Sequence, residues 1–284
     1  MGKTIIIWVL VLLLAAALAF GLFQLYRYLY PVAPQAEAPE ESSSTVPTTE
    51  PTVPVTEPPE TKLTAADFSV ENGFMTCSAM PSRIGIDVST FQGEIDWQQV
   101  KEAGVTFAII RVGGRGYGEA GTLYEDKRAQ ENYQGAKAAG LDIGAYFFSQ
   151  AVNEAEAVEE AEYVLELVKD WQITMPIVFD WEYISEEART AYVEPQTLTD
   201  AANAFSRRIR QAGYDAMVYF NADQAEESFY VDEVTEASLW LAVYDGWVET
   251  SYKVDMWQYT NQGKVAGISG NVDINIQFLH DELA

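Results

Sequence analysis

The chain has 284 residues, enough for one large domain or two ordinary ones, and a formal net charge of −26 from 17 basic and 43 acidic residues. This excess of negative charge argues against partners such as nucleic acid and anionic lipid. A zinc site built on two or three histidines is excluded because His280 is the single histidine, and a Ser-His-Asp triad would need it. The single cysteine, Cys77, excludes an intramolecular disulfide. Carboxylates are therefore the natural candidates for proton transfer.

The N-terminal part divides into an apolar segment and a polar spacer. Residues 5–23 are apolar throughout, which is long enough for a transmembrane helix at about 5–25, and tyrosines follow it as in an interfacial belt. We expect residues 1–30 to form a single-pass anchor in the cell membrane, with the rest of the chain outside. The alternative is a signal peptide cleaved at Ala17-Leu18-Ala19, which would give a secreted protein. Residues 31–63, rich in Pro, Thr and Glu, are expected to be a disordered linker.

Residues 64–82 form a lead-in segment, either irregular or a small strand packed beneath the domain that follows. From residue 83 to residue 284, short apolar runs typical of strands alternate with amphipathic helical runs. The predicted strands are 84–88, 105–112, 141–148, 175–182, 215–221, 239–244, 254–259 and 272–276, and the predicted helices are 96–104, 125–139, 153–171 and 199–212. Eight strands with intervening helices predict an α/β fold, a TIM-like (β/α) barrel with an irregular second half.

The predicted strand at 175–182 ends in two acidic residues, Asp180 and Glu182. Because side chains alternate along a strand, both point to the same side, roughly 6–7 Å apart along the backbone. Close carboxylates in a partly apolar site push each other's pKa values apart, so one can donate a proton while the other stays anionic. Breaking a glycosidic bond requires this combination, and the i, i+2 spacing leaves retention and inversion both open. A pair that simply faces solvent is the structural alternative.

Polar and aromatic residues recur at the ends of the other predicted strands, where barrels of this type carry their sites. Aromatic rings beside carboxylates suit a sugar, whose apolar faces stack on them, although core packing is the alternative for each ring. The further acidic candidates are Asp87 and Asp273. The candidate substrate-binding residues are Tyr146, Phe148, Tyr219, Trp240, Tyr244, Trp257, Gln258 and Tyr259. Arg111, Ser149, Asn221 and Asn275 also lie at such ends.

Four motifs follow one another along this part of the chain. They are Gly85-Ile86-Asp87-Val88-Ser89 with Asp96-Trp97, then Phe179-Asp180-Trp181-Glu182, Met256-Trp257-Gln258-Tyr259 and Val272-Asp273-Ile274-Asn275. Together they resemble glycoside hydrolase family 25, the Chalaropsis-type lysozymes or N-acetylmuramidases, over residues 83–280. The resemblance implies a flattened, irregular barrel and peptidoglycan glycan strands as the binding partner. It also implies cleavage of the β-1,4 bond between N-acetylmuramic acid and N-acetylglucosamine, without a metal or other cofactor.

The resemblance also implies roles for particular residues. Glu182 would be the general acid, and Asp180 would stabilise the cationic transition state or orient the acetamido group of the substrate. Asp87 and Asp273 would shape the electrostatics of the cleft floor. The residues matching positions that line sugar subsites are Tyr146, Trp257 and Tyr259.

Other interpretations of this sequence are a chitinase or glucosaminidase, a wall-binding module without strong catalysis, and a nucleotide site. The segment from Asp180 to Tyr183 also resembles the end of the family 18 chitinase motif, but Met175 and Val178 occupy places where that motif has acidic residues. A glucosaminidase is a related alternative to the chitinase. A catalytically weak wall-binding module is a further alternative, although all four acidic positions are present. The glycine-rich stretch 113–118 lacks the Lys-Ser/Thr of a phosphate-binding loop, so a flexible rim loop is expected there and no nucleotide.

Overall fold

The computed structural model describes residues 62–280. The anchor expected at residues 1–30 and nearly all of the expected linker lie outside this range, as do the last four residues. Within the described range no helix is both long and apolar enough to cross a bilayer. Leu63, which the sequence assigned to the linker, is buried, and its carbonyl accepts a hydrogen bond of 3.1 Å from Nε1 of Trp247. The domain therefore includes Leu63, the last residue of the expected linker.

The elements alternate between strands and helices, as the sequence predicts. In chain order they are β1 (Phe68–Glu71), β2 (Phe74–Cys77), β3 (Ser82–Val88), α1 (Trp97–Glu102), β4 (Phe107–Arg115), β5 (Leu123–Glu125), α2 (Ala129–Ala138), β6 (Asp142–Ser149), α3 (Glu154–Val168), β7 (Ile177–Trp181), α4 (Pro195–Gln211), β8 (Ala216–Asn221), α5 (Ala222–Glu227), β9 (Ser238–Ala242), β10 (Met256–Gly263) and β11 (Val272–Phe278). All eight strands expected after residue 83 are present.

Eight strands close into a barrel in the order β3, β4, β6, β7, β8, β9, β10, β11 and back to β3. The pairings from β3 round to β10 are parallel, whereas β11 is antiparallel to both of its neighbours. The first residues of β11 therefore lie at the edge where the other strands end. In this register Asp273 lies directly opposite Asp87. The predicted (β/α) barrel is confirmed, with an antiparallel closing strand.

The helices begin where the sequence provides caps or a compatible first turn. The side chain of Asp96 accepts a hydrogen bond from the backbone N–H of Gln99 and begins α1, and Asn153 begins α3 in the same way. Helix α4 begins four residues before the predicted start, because Pro195 fits a first helical turn, where no N–H is needed. The helix predicted at 125–139 begins later, at Ala129, because residues 123–125 pair with β4 as a short strand.

The second half of the barrel is irregular. Between β9 and β11 the described chain forms no helix, and the β1–β2 hairpin lies against the outer face of β10 and β11 instead. The ring of Phe68 lies 5.0 Å from Trp257, 5.1 Å from Trp247 and 5.9 Å from Phe278, measured between ring centroids. The expected lead-in segment 64–82 thus contains an antiparallel hairpin, residues 68–77, that covers an apolar face of the barrel. Lys62 and His280 border a common cavity of about 350 Å³ beside it.

Side chains fill the lower part of the barrel interior. Phe107, Ile109, Met175, Val178, Met217, Tyr219, Trp240, Ala242 and Met256 form this inner cluster. Gly85 leaves room for it, since a Cβ at this position would lie 2.1 Å from the ring of Phe107. Open space remains at the end of the barrel where the parallel strands terminate.

The glycine-rich stretch is part of the sheet, so the expectation of a flexible rim loop was wrong for residues 113–115. These residues end β4 and pair with β5. A Cβ at Gly113 would lie 2.3 Å from the carbonyl oxygen of Tyr124, and a Cβ at Gly114 would lie 2.5 Å from the hydroxyl of the same tyrosine. The glycines permit close approach of two strands. Their backbone is therefore fixed by pairing.

Replacing Phe68 should destabilise the barrel, because its ring covers three aromatic side chains. We expect Phe68→Ala to lower the free energy of unfolding by about 2–3 kcal/mol, less than is typical of a fully buried phenylalanine because Phe68 is partly exposed. Urea unfolding of residues 62–284 would measure it. Val70→Ala, at an exposed position on the same strand, is the control and should change the value by under about 0.5 kcal/mol. Equal effects of the two substitutions would contradict the role of the hairpin.

Candidate active site

A cleft of about 590 Å³ opens at the end of the barrel where the parallel strands terminate. Ten of the twelve site residues predicted from the sequence line it. They are Asp87, Tyr146, Phe148, Asp180, Glu182, Tyr219, Trp240, Tyr244, Gln258 and Asp273. The closed barrel brings these residues together from β3, β6, β7, β8, β9, β10 and β11 and the segments that follow β7 and β9.

Strand β7 carries the acidic pair into the cleft. Its odd-numbered residues face outward, where the ring of Phe179 packs against Phe205 of α4 and that of Trp181 against Phe229, which follows α5. The alternate positions face the barrel interior, which places Asp180 and Glu182 on the same side, as the strand period predicts. Asp180 is 6% exposed, and its Oδ1 accepts no hydrogen bond from the described residues.

Burial perturbs both carboxyl groups of the pair. It raises the pKa of Asp180 well above its usual value, and the charges of Glu182 and Asp87 raise it further, against an opposing effect of Arg111. Burial likewise raises the pKa of Glu182, and the charge of Asp273 adds to this. The pair therefore binds protons more tightly than isolated carboxyl groups do.

Asp87 is held by two amides at the cleft floor. Its Oδ2 accepts hydrogen bonds from Nδ2 of Asn275 at 2.8 Å and from Nε2 of Gln258 at 2.9 Å. Burial, followed by the charge of Asp273, raises the pKa of Asp87 well above its usual value. Oδ1 of Asn275 in turn accepts from Nε1 of Trp240 at 2.9 Å. The orientation of Asp87 on β3 is thus set by amides on β10 and β11.

Gln258 links this acidic floor to two tyrosines. Its Oε1 accepts from the hydroxyl of Tyr244 at 2.7 Å and from that of Tyr219 at 3.1 Å. Burial raises the pKa of Tyr219 well above its usual value and that of Tyr244 to about 12, so both hydroxyls stay protonated at neutral pH. Gln258 lines the cleft and connects Asp87 to these two tyrosines, and its expected contact with substrate stays a prediction.

Trp257 and Tyr259 lie on the opposite side of the barrel wall from the cleft. Trp257 is 1% exposed, packs with the hairpin, and donates from Nε1 to the carbonyl of Val243 at 2.8 Å. The hydroxyl of Tyr259 accepts from the N–H of Met75. Because Met256 and Gln258 face inward, strand alternation turns the residues between and after them outward. The prediction that Trp257 and Tyr259 line the sugar subsites was therefore wrong, because both side chains pack outside the barrel.

The sequence interpretation missed a cationic corner of the cleft. Nε and Nη2 of Arg111 donate to Oδ2 of the buried Asp126 at 2.8 and 2.7 Å. The guanidinium lies 4.9 Å from the ring of Phe91, which is 81% exposed at the rim. Asp126 also accepts from the N–H of Thr90 at 3.1 Å, which fixes the turn that carries Phe91. Arg111 was visible at a strand end, but Asp126 lay within a predicted helix, and Phe91 belonged to no predicted element.

Comparison with known proteins agrees with this architecture. The family model of glycosyl hydrolases family 25 matches residues 86–268, which is more than half of the chain. The chain belongs to glycosyl hydrolase family 25. The family 25 match spans the barrel from β3 to the turn before β11 and so includes Asp87, Asp180 and Glu182.

The proteins that this chain resembles include two curated lysozymes and a solved autolysin. Lysozyme M1 of Streptomyces globisporus is 30% identical over 201 residues, covering 67% of this chain and 66% of that protein. The autolytic lysozyme of Clostridium acetobutylicum is 28% identical, covering 67% of this chain and 54% of that protein. The structure of the modular autolysin LytC from Streptococcus pneumoniae, in complex with a synthetic peptidoglycan ligand, is 27% identical with a TM-score of 0.62, covering 72% of this chain and 48% of that one. The chain thus spans only part of each relative.

The Asp273 carboxyl group should destabilise the folded domain at neutral pH, where it is charged, relative to acidic pH, where it is protonated. Burial raises its pKa to about 6, above the unfolded value of about 3.9, so stability is lost as pH rises from about 4 to about 6. We expect Asp273→Asn to increase the free energy of unfolding by about 1–2 kcal/mol near pH 7 and to change it little near pH 3.5. Urea unfolding at both pH values would measure this, with the exposed Asp245→Asn as control. A variant that is less stable than the wild type at pH 7 would contradict the expectation.

Proposed function

We propose that this protein is a lysozyme of the N-acetylmuramidase type, which hydrolyses the β-1,4 bond between N-acetylmuramic acid and N-acetylglucosamine in peptidoglycan. The observation that carries the proposal is the inward-facing pair Asp180 and Glu182 at the end of β7, in a cleft shared with Asp87 and Asp273. Two of its curated relatives are named lysozymes, and a similar structure was solved with a peptidoglycan ligand.

In the proposed reaction Glu182 is the general acid. It is more exposed to the cleft than Asp180, and burial together with the charge of Asp273 favours its protonated form. A carboxylic acid held in this way donates its proton to the glycosidic oxygen as the bond to the anomeric carbon breaks. Transfer of that proton neutralises the leaving oxygen, and a water molecule then adds its oxygen to the anomeric carbon and gives up one proton to a carboxylate of the site.

Asp180 is proposed to act on the sugar that becomes positively charged. Its Oδ1 accepts no hydrogen bond within the described residues, so it is available to a substrate N–H or to the developing charge. Arg111 counteracts the effect of burial and favours the anionic form of Asp180. The carboxylate therefore either stabilises the oxocarbenium-like transition state directly or orients the acetamido group as nucleophile.

The remaining cleft residues are proposed to hold the glycan. Asp87 and Asp273, which lie opposite each other on β3 and β11, supply carboxyl oxygens at the floor that can accept hydrogen bonds from the glycan. The aromatic residues that line the cleft, and could therefore contact sugar faces, are Phe91, Tyr117, Tyr124, Tyr146, Phe148, Tyr219, Trp240 and Tyr244. Met175 and Val178, which occupy positions that are acidic in the chitinase motif, are buried in the apolar interior of the barrel. Their environment favours a muramidase over a chitinase.

Loss of the carboxylic acid at position 182 should abolish most of the activity. We expect Glu182→Gln to lower turnover of peptidoglycan by about 10²–10⁴-fold while the domain stays folded, because the amide cannot donate the required proton. Mass spectrometry of fragments released by residues 62–284 should detect new reducing ends on N-acetylmuramic acid, absent with the variant. Excess chelator should not change these fragments.

The control variant is Glu186→Gln, at an exposed position four residues further along the same loop, and it should keep full activity. Reducing ends on N-acetylglucosamine would instead indicate a glucosaminidase. Retained binding to the wall without any release would favour the catalytically weak binding module. Near-normal turnover by folded Glu182→Gln would overturn the assignment of the acid.

The pH dependence of the reaction should report the environment of Glu182. Because a general acid must be protonated, kcat/KM should fall as pH rises through its raised pKa. Asp273→Asn removes a neighbouring negative charge, so the alkaline limb of the profile should move to lower pH. Initial rates of wild type and variant across about pH 3–9 would measure this. A limb that stays in place, or moves to higher pH, would contradict the proposed coupling.

We also propose that the N-terminal segment keeps this activity at the cell membrane. The support is the apolar run at residues 5–23 followed by a Pro/Thr/Glu-rich spacer. The full chain should be found with membranes after cell fractionation and should be released by detergent, whereas residues 62–284 fused to a cleavable signal peptide should be found outside the cell. Secretion of the full chain in a form shortened at Ala19 would establish a signal peptide instead.

A further inference from the structure

Glu182 lies one residue beyond the end of β7, where the sheet no longer holds the backbone. The last residue pair between β6 and β7 is Ser149 with Trp181, and the last between β7 and β8 is Asp180 with Tyr219. The carbonyl groups at the end of the strand therefore need partners other than the neighbouring strands. Each of the two carbonyls concerned accepts a hydrogen bond from a buried glutamine side chain.

These two glutamines come from the two strand connections that flank β7. Gln150, directly after β6, donates from Nε2 to the carbonyl of Glu182 at 2.9 Å. Gln224, in α5 after β8, donates from Nε2 to the carbonyl of Trp181 at 2.6 Å. Gln150 is completely buried and Gln224 nearly so. The two side chains together continue the hydrogen bonding of β7 beyond its last paired residues, Gln150 on the side of β6 and Gln224 on the side of β8.

The orientation of each amide is fixed by a further contact. Oε1 of Gln224 accepts from the backbone N–H of Asn221 at 2.8 Å. Oε1 of Gln150 accepts from the hydroxyl of Thr190 at 2.7 Å, and its Nε2 also donates to the carbonyl of Ser149. A backbone N–H only donates and a carbonyl only accepts, so rotating either amide by 180° would break these bonds.

The connection that carries Gln150 is itself anchored. Glu160 of α3 is fully buried and accepts hydrogen bonds from the hydroxyl of Ser149 at 2.6 Å and from Nε of Arg115 at 2.7 Å. Arg115 also donates to the carbonyl of Gly121 at 3.0 Å. A satisfied buried network of this kind allows few alternative side-chain arrangements. Gln150 therefore projects from a rigid support toward Glu182.

We propose that Gln150 and Gln224 are positioning residues that hold Glu182 in the orientation needed for proton donation. This inference rests on the proposed function of Glu182 as general acid. Displacement of a catalytic group by about 1 Å can cost on the order of 10²-fold in rate. Removal of either amide should lower kcat by roughly 10–100-fold while KM changes by less than about threefold, because the cleft surface that contacts the glycan is unchanged.

The first test combines Gln150→Met and, separately, Gln224→Met with Glu182→Gln in the domain comprising residues 62–284. Each methionine variant should lower kcat in the wild-type background and should change the residual activity of Glu182→Gln by less than about twofold, because its effect acts through that side chain. The same loss in both backgrounds, or full activity of a folded methionine variant, would overturn the proposal for the glutamine concerned. Full activity of Glu182→Gln would instead overturn the proposed function itself.

A second test leaves both glutamines in place and changes only the hydroxyl that orients Gln150. Thr190 is buried and does not line the cleft. Thr190→Val, which keeps the shape but loses the donor, should lower kcat about 3–10-fold, and Thr190→Ser should retain wild-type kcat. Gln130→Met, which removes an exposed amide bonded to Trp171, is the control and should leave activity unchanged. Equal kcat values for the valine and serine variants, at equal thermal stability, would contradict the role of the amide orientation.

Discussion

The closing strand of the barrel runs against the direction of the other seven, and the acidic cleft depends on this reversal. With β11 antiparallel, its first residues reach the edge where β3 and β7 end, so Asp273 lies opposite Asp87 and near the acidic pair. A parallel eighth strand would carry the same residue at the opposite end of the barrel. Burial then raises the pKa values of all four carboxyl groups, which makes the site chemically distinct from a charged surface patch.

Concentrating these groups in one place has an energetic cost that the surrounding residues reduce. Asn275 and Gln258 donate to Asp87, and Arg111, which is paired with Asp126, offsets part of the rise in the pKa of Asp180. Such arrangements are common at functional sites, where groups suited to chemistry oppose stability. Packing of the apolar interior beneath the cleft stabilises the fold and so offsets the unfavourable burial of the carboxyl groups.

Much of the fold and most of the site could be predicted from the sequence because both follow short-range periodicity. Alternation along β7 put Asp180 and Glu182 on one side, and the structure agrees. The same rule, applied to β10, would have turned Trp257 and Tyr259 away from the cleft, but their aromatic character and family motif outweighed it. Asp126, Phe91 and the glutamines beside Glu182 depend on contacts between distant segments, which periodicity does not encode. The hairpin at residues 68–77 was hard to recognise because its two strands are only four residues long.

The position of the hairpin also brings the two ends of the described chain together. Lys62, Leu63 and His280 border the same cavity, so the segments that precede and follow the barrel lie side by side on its surface. Domains with adjacent ends tolerate circular permutation and insertion into host loops, because a short connection suffices to join them. This barrel is accordingly suited to insertion into a loop of another protein. The described residues that line its cleft, from Asp87 to Asp273, all lie between the two adjacent segments.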